Sequence, residues 1–474
     1  MPEGARGRPE AVVVSNARGS VRLHPDGRHE VLAGDDPVAD TDPMAFLPYD
    51  RELADPCPDN ARNAYPYATE RLLSLFGDAD RSPDLAVVHT PRHYFPDEGG
   101  HAGEHGSLDV VQSRAPLLVS GAGAVAAGTV DDHARLVDVG PTMAAAAGVP
   151  AEHLVDADGR PLDGRVLTQL VEPGRRHVVG VLWDGAHCGE LLAMAERGEL
   201  PGVARLLERG TALRGGAVAE FPSVTLTNHT SILTGVGPGR HGVLGNVFHD
   251  RRTGERVVPN DAATWHRSAE WLEPGVRTVF ELLAAHRGDL AVPSASVNEA
   301  IDRGAAFSTM AMIRASGSES GAAGLGDRLP DPATSAFLGE RGHLTDGYYS
   351  WATQVDDVAL QLVLQLWESV AQAPALTWWA NTVTDAGHHA GGPRSAVARD
   401  AFRDADRRLQ AFIDRLDRLG VTDDVTFLLT ADHGFEAADP TCTGSWGPAL
   451  AAALDPLGAT WRDEGPGFVY VDPR

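Results

Sequence analysis

The sequence predicts an α/β fold: a mostly parallel sheet sandwiched by helices, with a small inserted cap. Three observations carry that prediction. Short apolar runs rich in β-branched residues recur along the 474-residue chain, as expected of strands buried on both faces. Runs with helical periodicity lie between them, and such alternation builds a parallel sheet with helices on its faces. One stretch within residues 303–350, RASGSESGAAGLGDRLPDPATS, breaks the rhythm and reads as an inserted cap or mobile loop.

Taken in order, the predicted strands are AVVV (11–14), LAVVH (85–89), APLLVSG (115–121), HVVGVLWDG (177–185), LTWWANTV (376–383) and VTFLLTADHG (425–434). Helical patterns fall at ATERLLSLFG, LPGVARLLERG, TVFELLAAHRG and the long segment 395–420. In the last, Ala398, Phe402, Leu409, Phe412 and Leu416 recur on one face, and Gly420 is the stop. Residues 26–62, rich in Asp and Pro, read as loops. Sheets of this kind bind ligands beyond the carboxyl ends of their strands.

Composition narrows the chemistry. Asp and Glu outnumber Arg 66 to 40, lysine is absent, and the formal net charge is −26. A chain without lysine has no Schiff-base lysine and no P-loop lysine. The acidic balance argues against binding a nucleic-acid polymer, which needs basic patches. No apolar run approaches the ~20 residues of a membrane span, and the start, MPEGARGRPE, does not resemble a secretory leader. Three cysteines, Cys57, Cys188 and Cys442, have no metal-like spacing and point to a reducing compartment. The expected location is the cytoplasm.

Strand ends hold the candidate ligands. VLWDG puts Asp184 just past a strand, TDAGHHAGGP sets Asp385 four residues before His389, TADHGF joins Asp432 to His433, and GEHGS places His105 ahead of a strand. Each alone also fits a helix cap. Together, three carboxylates and three imidazoles suit two borderline-soft divalent cations such as Zn²⁺. Such a pair clamps both the attacking and the leaving oxygen of a displacement at phosphorus. FPSVTLTNHTSILTG places hydroxyls before a helix, where anionic groups are favoured. Thr225, Thr227 and Asn228 fit a helix-capping role there equally well.

These motifs resemble the alkaline phosphatase superfamily, in particular its type I phosphodiesterase/nucleotide pyrophosphatase branch. VLWDG, PSVTLTNH, TGVGPGRHGVLGN, DAGHHAGGP and ADHG occur in that family's order. The resemblance implies an alkaline-phosphatase-like fold with Thr225 as nucleophile. It implies that Asn246 contacts a phosphoryl oxygen, with the Leu226 N–H as partner donor. It implies one metal held by Asp385, His389 and His105, and another held by Asp184, Asp432, His433 and the Thr225 oxygen. His388 stands where the family has Gly, but only His389 keeps the spacing to Asp385.

The family's last metal-binding His follows its D-H-G motif, yet no histidine follows His433 here. Residues 105–149 instead resemble the family's C-terminal block. The expectation is a circular permutation, with His105 beside Asp385 and His389 and with FVYV (468–471) near AVVV. Residues 1–170 would be the permuted C-terminal part of the catalytic domain, 171–300 its N-terminal part with the nucleophile, 301–350 an inserted cap or loop, and 351–474 the remainder.

The implied activity is hydrolysis of phosphodiester or nucleotide pyrophosphate bonds in a small-molecule substrate, through a phospho-threonine intermediate at a two-zinc site. Alternatives are a phosphonoacetate-type C–P hydrolase, a phosphomonoesterase of the same superfamily, and a catalytically silent metal-binding partner protein. Trp378 and Trp379 read as packing residues, His241 as structural, and His187 and His101 as near enough to the motifs to touch substrate.

Overall fold

A computed structural model describes residues 9–54, 64–90, 93, 101–174, 177–287, 293–317, 347–439, 446–465 and 467–472. Its centre is an eight-stranded sheet in the order Phe307–Ser308, Ser294–Val297, Leu376–Asn381, His177–Trp183, Val425–Thr430, Leu117–Gly121, Gly210–Leu213, Gly128–Val130. Leu117–Gly121 runs antiparallel to both neighbours, and the other pairings are parallel. The three central parallel strands are buried at every position, which explains their unbroken apolar sequences. Gly180 answers to packing: a Cβ there would stand 2.3 Å from the Trp378 ring.

Helices pack on the sheet in two groups. Ala396–Leu419 lies against Val383–Gly391, Gly347–Leu366 and Pro201–Leu207, while Val139–Ala146 lies against Thr225–Thr234 and Val279–Arg287. In Ala396–Leu419 the five predicted apolar positions are all buried. Ser395 caps its first turn by accepting from the Ala398 amide. Gly420 ends it at φ 68°, where a Cβ would be strained.

Several expectations are corrected. Val12–Ser15 is a strand, but it pairs only in a peripheral three-stranded sheet and is half exposed. Of 85–89 only Leu85–Ala86 is extended; it pairs with Phe468–Asp472. The strand at 468–472 therefore shares no sheet with the one at 12–15. Residues 26–62 hold the strand His29–Gly34 and the helix Tyr49–Ala54 as well as loops. Four strands of the central sheet escape the apolar pattern, because GTAL, GTV, SASV and FS are short and built largely of small or polar residues.

Residues from both ends of the chain share one hydrophobic core, which runs from Val21 to Tyr470. Within the expected cap, Phe307–Ser308 extends the central sheet and residues 347–350 open a long helix. Residues 318–346, with most of the Gly/Ser-rich stretch, lie outside the described residues, as do Cys57 and Cys442. Cys188 is a buried free thiol. Among the described residues no helix is long and apolar enough to cross a membrane.

Candidate metal centre and active site

Three adjacent parallel strands deliver the carboxylates to one place. Asp184 directly follows His177–Trp183, Asp432 follows Val425–Thr430, and Asp385 sits in the first turn of the helix that follows Leu376–Asn381. That helix begins where it does because the Asp356 carboxylate accepts from the Thr382 and Val383 amides at 2.8 and 3.0 Å. One helical turn separates Asp385 from His389, so both project from the same face. His389 Nε2 lies 3.5 Å from Asp385 Oδ1.

His105 arrives from the other end of the chain. Gly103–Glu104 pairs antiparallel with Glu436–Ala437, which lays the His105 ring on that of His433 at 3.7 Å. His105 Nε2 is 3.9 Å from Asp385 Oδ1. His433 Nε2 is 3.3 Å from Asp432 Oδ2 and 3.7 Å from Asp184 Oδ1. The donor atoms form three groups, each within 4.8 Å: His105–Asp385–His433, Asp184–Asp432–His433 and His101–Glu104–His389, so His389 falls with His101 and Glu104 rather than with the expected His105.

The donor set fits divalent cations. Asp184 Oδ1, Asp385 Oδ1, Asp432 Oδ2 and His433 Nε2 are buried with no hydrogen-bond partner. Each such group left unpaired costs about 1–3 kcal/mol, more when charged. Burial, then the neighbouring Asp432 and Asp385, hold the Asp184 carboxyl well above its usual range. Burial, then His433 and His389, hold His105 well below the imidazole range and keep it neutral. Nδ1 of His105, His389 and His433 faces the carbonyls of Ser223, Gly103 and Gly434 at 3.0, 3.0 and 2.9 Å. Donation there leaves the Nε2 lone pairs for a metal.

His388 is the weaker candidate. Its Nδ1 bonds the Thr384 carbonyl at 2.6 Å, its ring packs on Phe402 and Phe435, and burial lowers its pKa to about 4.

The hydroxyl turn is buried. Asn228 Oδ1 accepts from the Glu220 amide at 2.7 Å, and its Nδ2 donates to the Pro222 and Val224 carbonyls. That side chain holds the turn in shape. Both threonines are buried, Thr227 at 0% exposure with an unpartnered hydroxyl and Thr225 at 7%. Thr225 is the first residue of the helix Thr225–Thr234, whose N-cap, Val224, offers no side-chain cap. The turn is tied to the histidine loop: Ser223 O accepts from His105 Nδ1, and Ser223 Oγ accepts from the Gly106 amide at 3.1 Å. The Leu226 amide donates to Asn246 Oδ1 at 3.1 Å. The expected partner donor is thereby engaged with Asn246 itself, and that contact leaves the Asn246 NH₂ as the group able to donate outward.

His187 is buried and accepts from the Glu190 amide as a helix cap. His241 is a structural residue between Ser231 and the Val243 amide. His101 bonds Glu104 at 2.7 Å and lies 4.3 Å from the His389 ring.

Three residues at the site carry no local sequence signal. Tyr348 donates to Asp385 Oδ2 at 3.0 Å. Glu104 Oε1 is 3.9 Å from His389 Nδ1. Glu299 bonds both His229 and Trp378 at 2.8 Å. Trp378, read as packing only, is thus also a donor.

Fold and site together define an α/β protein with a buried carboxylate–imidazole centre at the carboxyl ends of parallel strands. The chain belongs to the type I phosphodiesterase/nucleotide pyrophosphatase family, whose sequence model matches residues 178–474, within the alkaline phosphatase superfamily. It is 34% identical over 79 residues to an uncharacterized pyrophosphatase/phosphodiesterase of Schizosaccharomyces pombe, covering 17% of this chain and 16% of that protein. It is 33% identical over 85 residues to the alkaline phosphatase PafA of Elizabethkingia meningoseptica, covering 18% and 16%. These matches thus span about a sixth of the relatives' own lengths. Among solved structures, murine ectonucleotide pyrophosphatase/phosphodiesterase 5 matches at 16% identity and TM-score 0.41, covering 60% of this chain and 64% of that one. A phosphonoacetate hydrolase of Sinorhizobium meliloti matches at 22% identity and TM-score 0.36, covering 59% and 60%.

Proposed function

We propose that this chain is a phosphoric ester hydrolase that cleaves phosphodiester or nucleotide pyrophosphate bonds through a phospho-threonine intermediate on Thr225. One observation carries the reading: unpartnered carboxylate oxygens and carbonyl-anchored histidines converge on one spot, joined to the Thr225 turn through His105 and Ser223. One cation would be held by Asp385, His389 and His105, the other by Asp184, Asp432, His433 and the Thr225 oxygen. When bound, two such ions, with Zn²⁺ the best match to the donors, neutralise phosphoryl charge and make a hydroxyl acidic.

Thr225 Oγ, its proton lost to solvent, forms the new O–P bond in line as the ester P–O bond opposite breaks. The leaving oxygen takes a proton from water. A water molecule then attacks the threonine-bound phosphoryl group, which keeps its second ester substituent, from the vacated side, releasing a phosphate monoester and restoring the Thr225 hydroxyl. Asn246, its carbonyl oxygen tied to the Leu226 amide, turns its NH₂ to a phosphoryl oxygen, where developing charge makes a fixed donor most valuable. Arg394, which follows the metal helix, is paired with Glu436 at 2.7 Å. Its commitment supports a diester over a more highly charged monoester.

The same reading takes residues 1–170 as the family's C-terminal part moved to the front. Insertion of Leu117–Gly121 between Val425–Thr430 and Gly210–Leu213 supports it. A cytoplasmic location belongs to the proposal and is tested by fractionation. The central experiment compares an aryl nucleotide diester, an aryl monophosphate and phosphonoacetate as substrates, with zinc and after chelation. Fastest zinc-dependent release from the diester supports the proposal. Preferred C–P cleavage, or no chelator-sensitive turnover of any of the three, removes it.

A further inference from the structure

His229, the histidine of PSVTLTNH, takes no part in the mechanism above, yet it sits beneath the site. It is buried on the helix that begins at Thr225. Its Nδ1 bonds Glu299 Oε2 at 2.8 Å, and its Nε2 faces Asp432 Oδ2 at 3.6 Å. Glu299 is 0% exposed and is fully engaged: Oε2 also accepts from Trp378 Nε1 at 2.8 Å, and Oε1 accepts from the Ile301 amide at 2.8 Å. A buried carboxylate persists only where donors compensate its desolvation, and here three do so.

The backbone is shaped to deliver it. Asn298, immediately before Glu299, adopts φ 54°, a left-handed conformation that Asn tolerates better than most residues. Asn298 is held by its bonds to Thr309 Oγ1 and to the Ala380 carbonyl.

Asp432 completes the chain. Its Oδ1 accepts from the Gly185 and His433 amides at 2.9 and 3.1 Å. Neither its Oδ2 nor His229 Nε2 has a hydrogen-bond partner; Oδ2 stands at ion-pair distance from both rings, 3.3 Å from His433 Nε2 and 3.6 Å from His229 Nε2. We infer that Glu299 and His229 are positioning residues for the cation held by Asp184, Asp432 and His433. Glu299 fixes the imidazole, and the imidazole fixes the direction of the one Asp432 oxygen left for the metal. Outer partners of this kind typically hold 10–100-fold in metal affinity. The inference rests on the two-metal reading above.

The test uses the full chain loaded with zinc, with Glu299→Gln as a near-isosteric variant and His229→Asn as a second. Zinc release to a chromophoric chelator is followed alongside thermal unfolding and kcat at saturating zinc. Each variant is expected to release one of two zinc ions about 10–100-fold more readily, with the other ion unaffected. The double variant should be no worse than the worse single, because both act through one chain. Saturating zinc should return kcat to within a few-fold of wild type, since neither residue touches the reacting atoms. Unchanged affinity in both variants overturns the inference, as does equal loss at both sites with a lowered unfolding temperature. Wild-type chain that binds no zinc overturns the two-metal reading itself, a distinguishable result.

Discussion

His105 Nε2 lies 3.9 Å from Asp385 Oδ1, although most of the chain separates the two residues. The strand Leu117–Gly121, shortly after His105, lies beside Val425–Thr430, which leads to Asp432 and His433. The first quarter of the chain therefore brings a histidine to the cluster around Asp385 and His433. On the proposed two-metal reading, His105→Ala should cost the protein about one of two metal ions, with a fall in affinity beyond the ~10–100-fold loss of an outer partner. Metal analysis after gel filtration checks it, and full retention of both ions would remove His105 from the ligand set.

Thr225→Ala should lower turnover about 10³-fold or more, as loss of a nucleophile does, while metal content stays near that of wild type. Thr225→Ser should keep measurable activity. A phosphorylated residue trapped by rapid acid quench should map to Thr225 in wild type and be missing from the alanine variant. Wild-type turnover in Thr225→Ala would sink the nucleophile assignment.

Asn246→Ala removes one fixed donor and frees the Leu226 amide. Loss of such a donor typically costs about 10²–10³-fold in kcat, with substrate affinity changed much less. A change confined to KM would show instead that Asn246 serves ground-state binding.

Metal removal should act on stability as well as turnover. The buried, unpartnered oxygens of Asp184, Asp385 and Asp432 are uncompensated without cations. At a 1,000-fold excess over Kd, a bound ion stabilises by about 4 kcal/mol. Dialysis against chelator should lower the melting temperature by a few degrees or more, and zinc should restore it. Equal melting curves with and without zinc would contradict the site.

Asp406 offers a pH test away from the metal centre. It caps the helix Pro201–Leu207 by accepting from the Gly202 and Val203 amides at 2.9 and 2.8 Å. Burial nevertheless pushes its carboxyl up to about 6, against the pull of those amides. The folded state thus binds this proton more tightly than the unfolded chain does. The stability it contributes is complete below about pH 4 and is lost as the pH rises through 6. Asp406→Asn should flatten that dependence, removing a wild-type difference on the order of 2–3 kcal/mol between pH 4 and pH 7. Parallel wild-type and variant profiles measured by urea unfolding would refute it.

Much of the fold was legible because burial writes itself locally. The strands at 177–183, 376–381 and 425–430 are buried throughout and so appear as continuous apolar runs. The helix at 396–419 buries one face and shows it as a period. Gly210–Leu213 and Ser294–Val297 join the same sheet through backbone pairing, and backbone bonds leave little mark on small or polar side chains. The strand at 12–15 looks apolar yet stays peripheral, since a run of four residues does not specify its partner.

The site divides in the same way. Asp184, Asp385, His389, Asp432 and His433 are recognisable because strand ends and a four-residue helical spacing are local features. The proposal of Thr225 over Thr227 rests on the family resemblance, and the structure adds that Thr227 lies deeper. The parts played by Tyr348, Glu104 and Glu299 rest on distances between side chains far apart in sequence. The sequence by itself determined the class of fold and the order of the candidate ligands along the chain. Only the tertiary structure decided which ring nitrogen of each histidine faces a carbonyl, how deeply each threonine lies, and which buried acid stands behind His229. Those properties depend on packing between segments that no local period encodes.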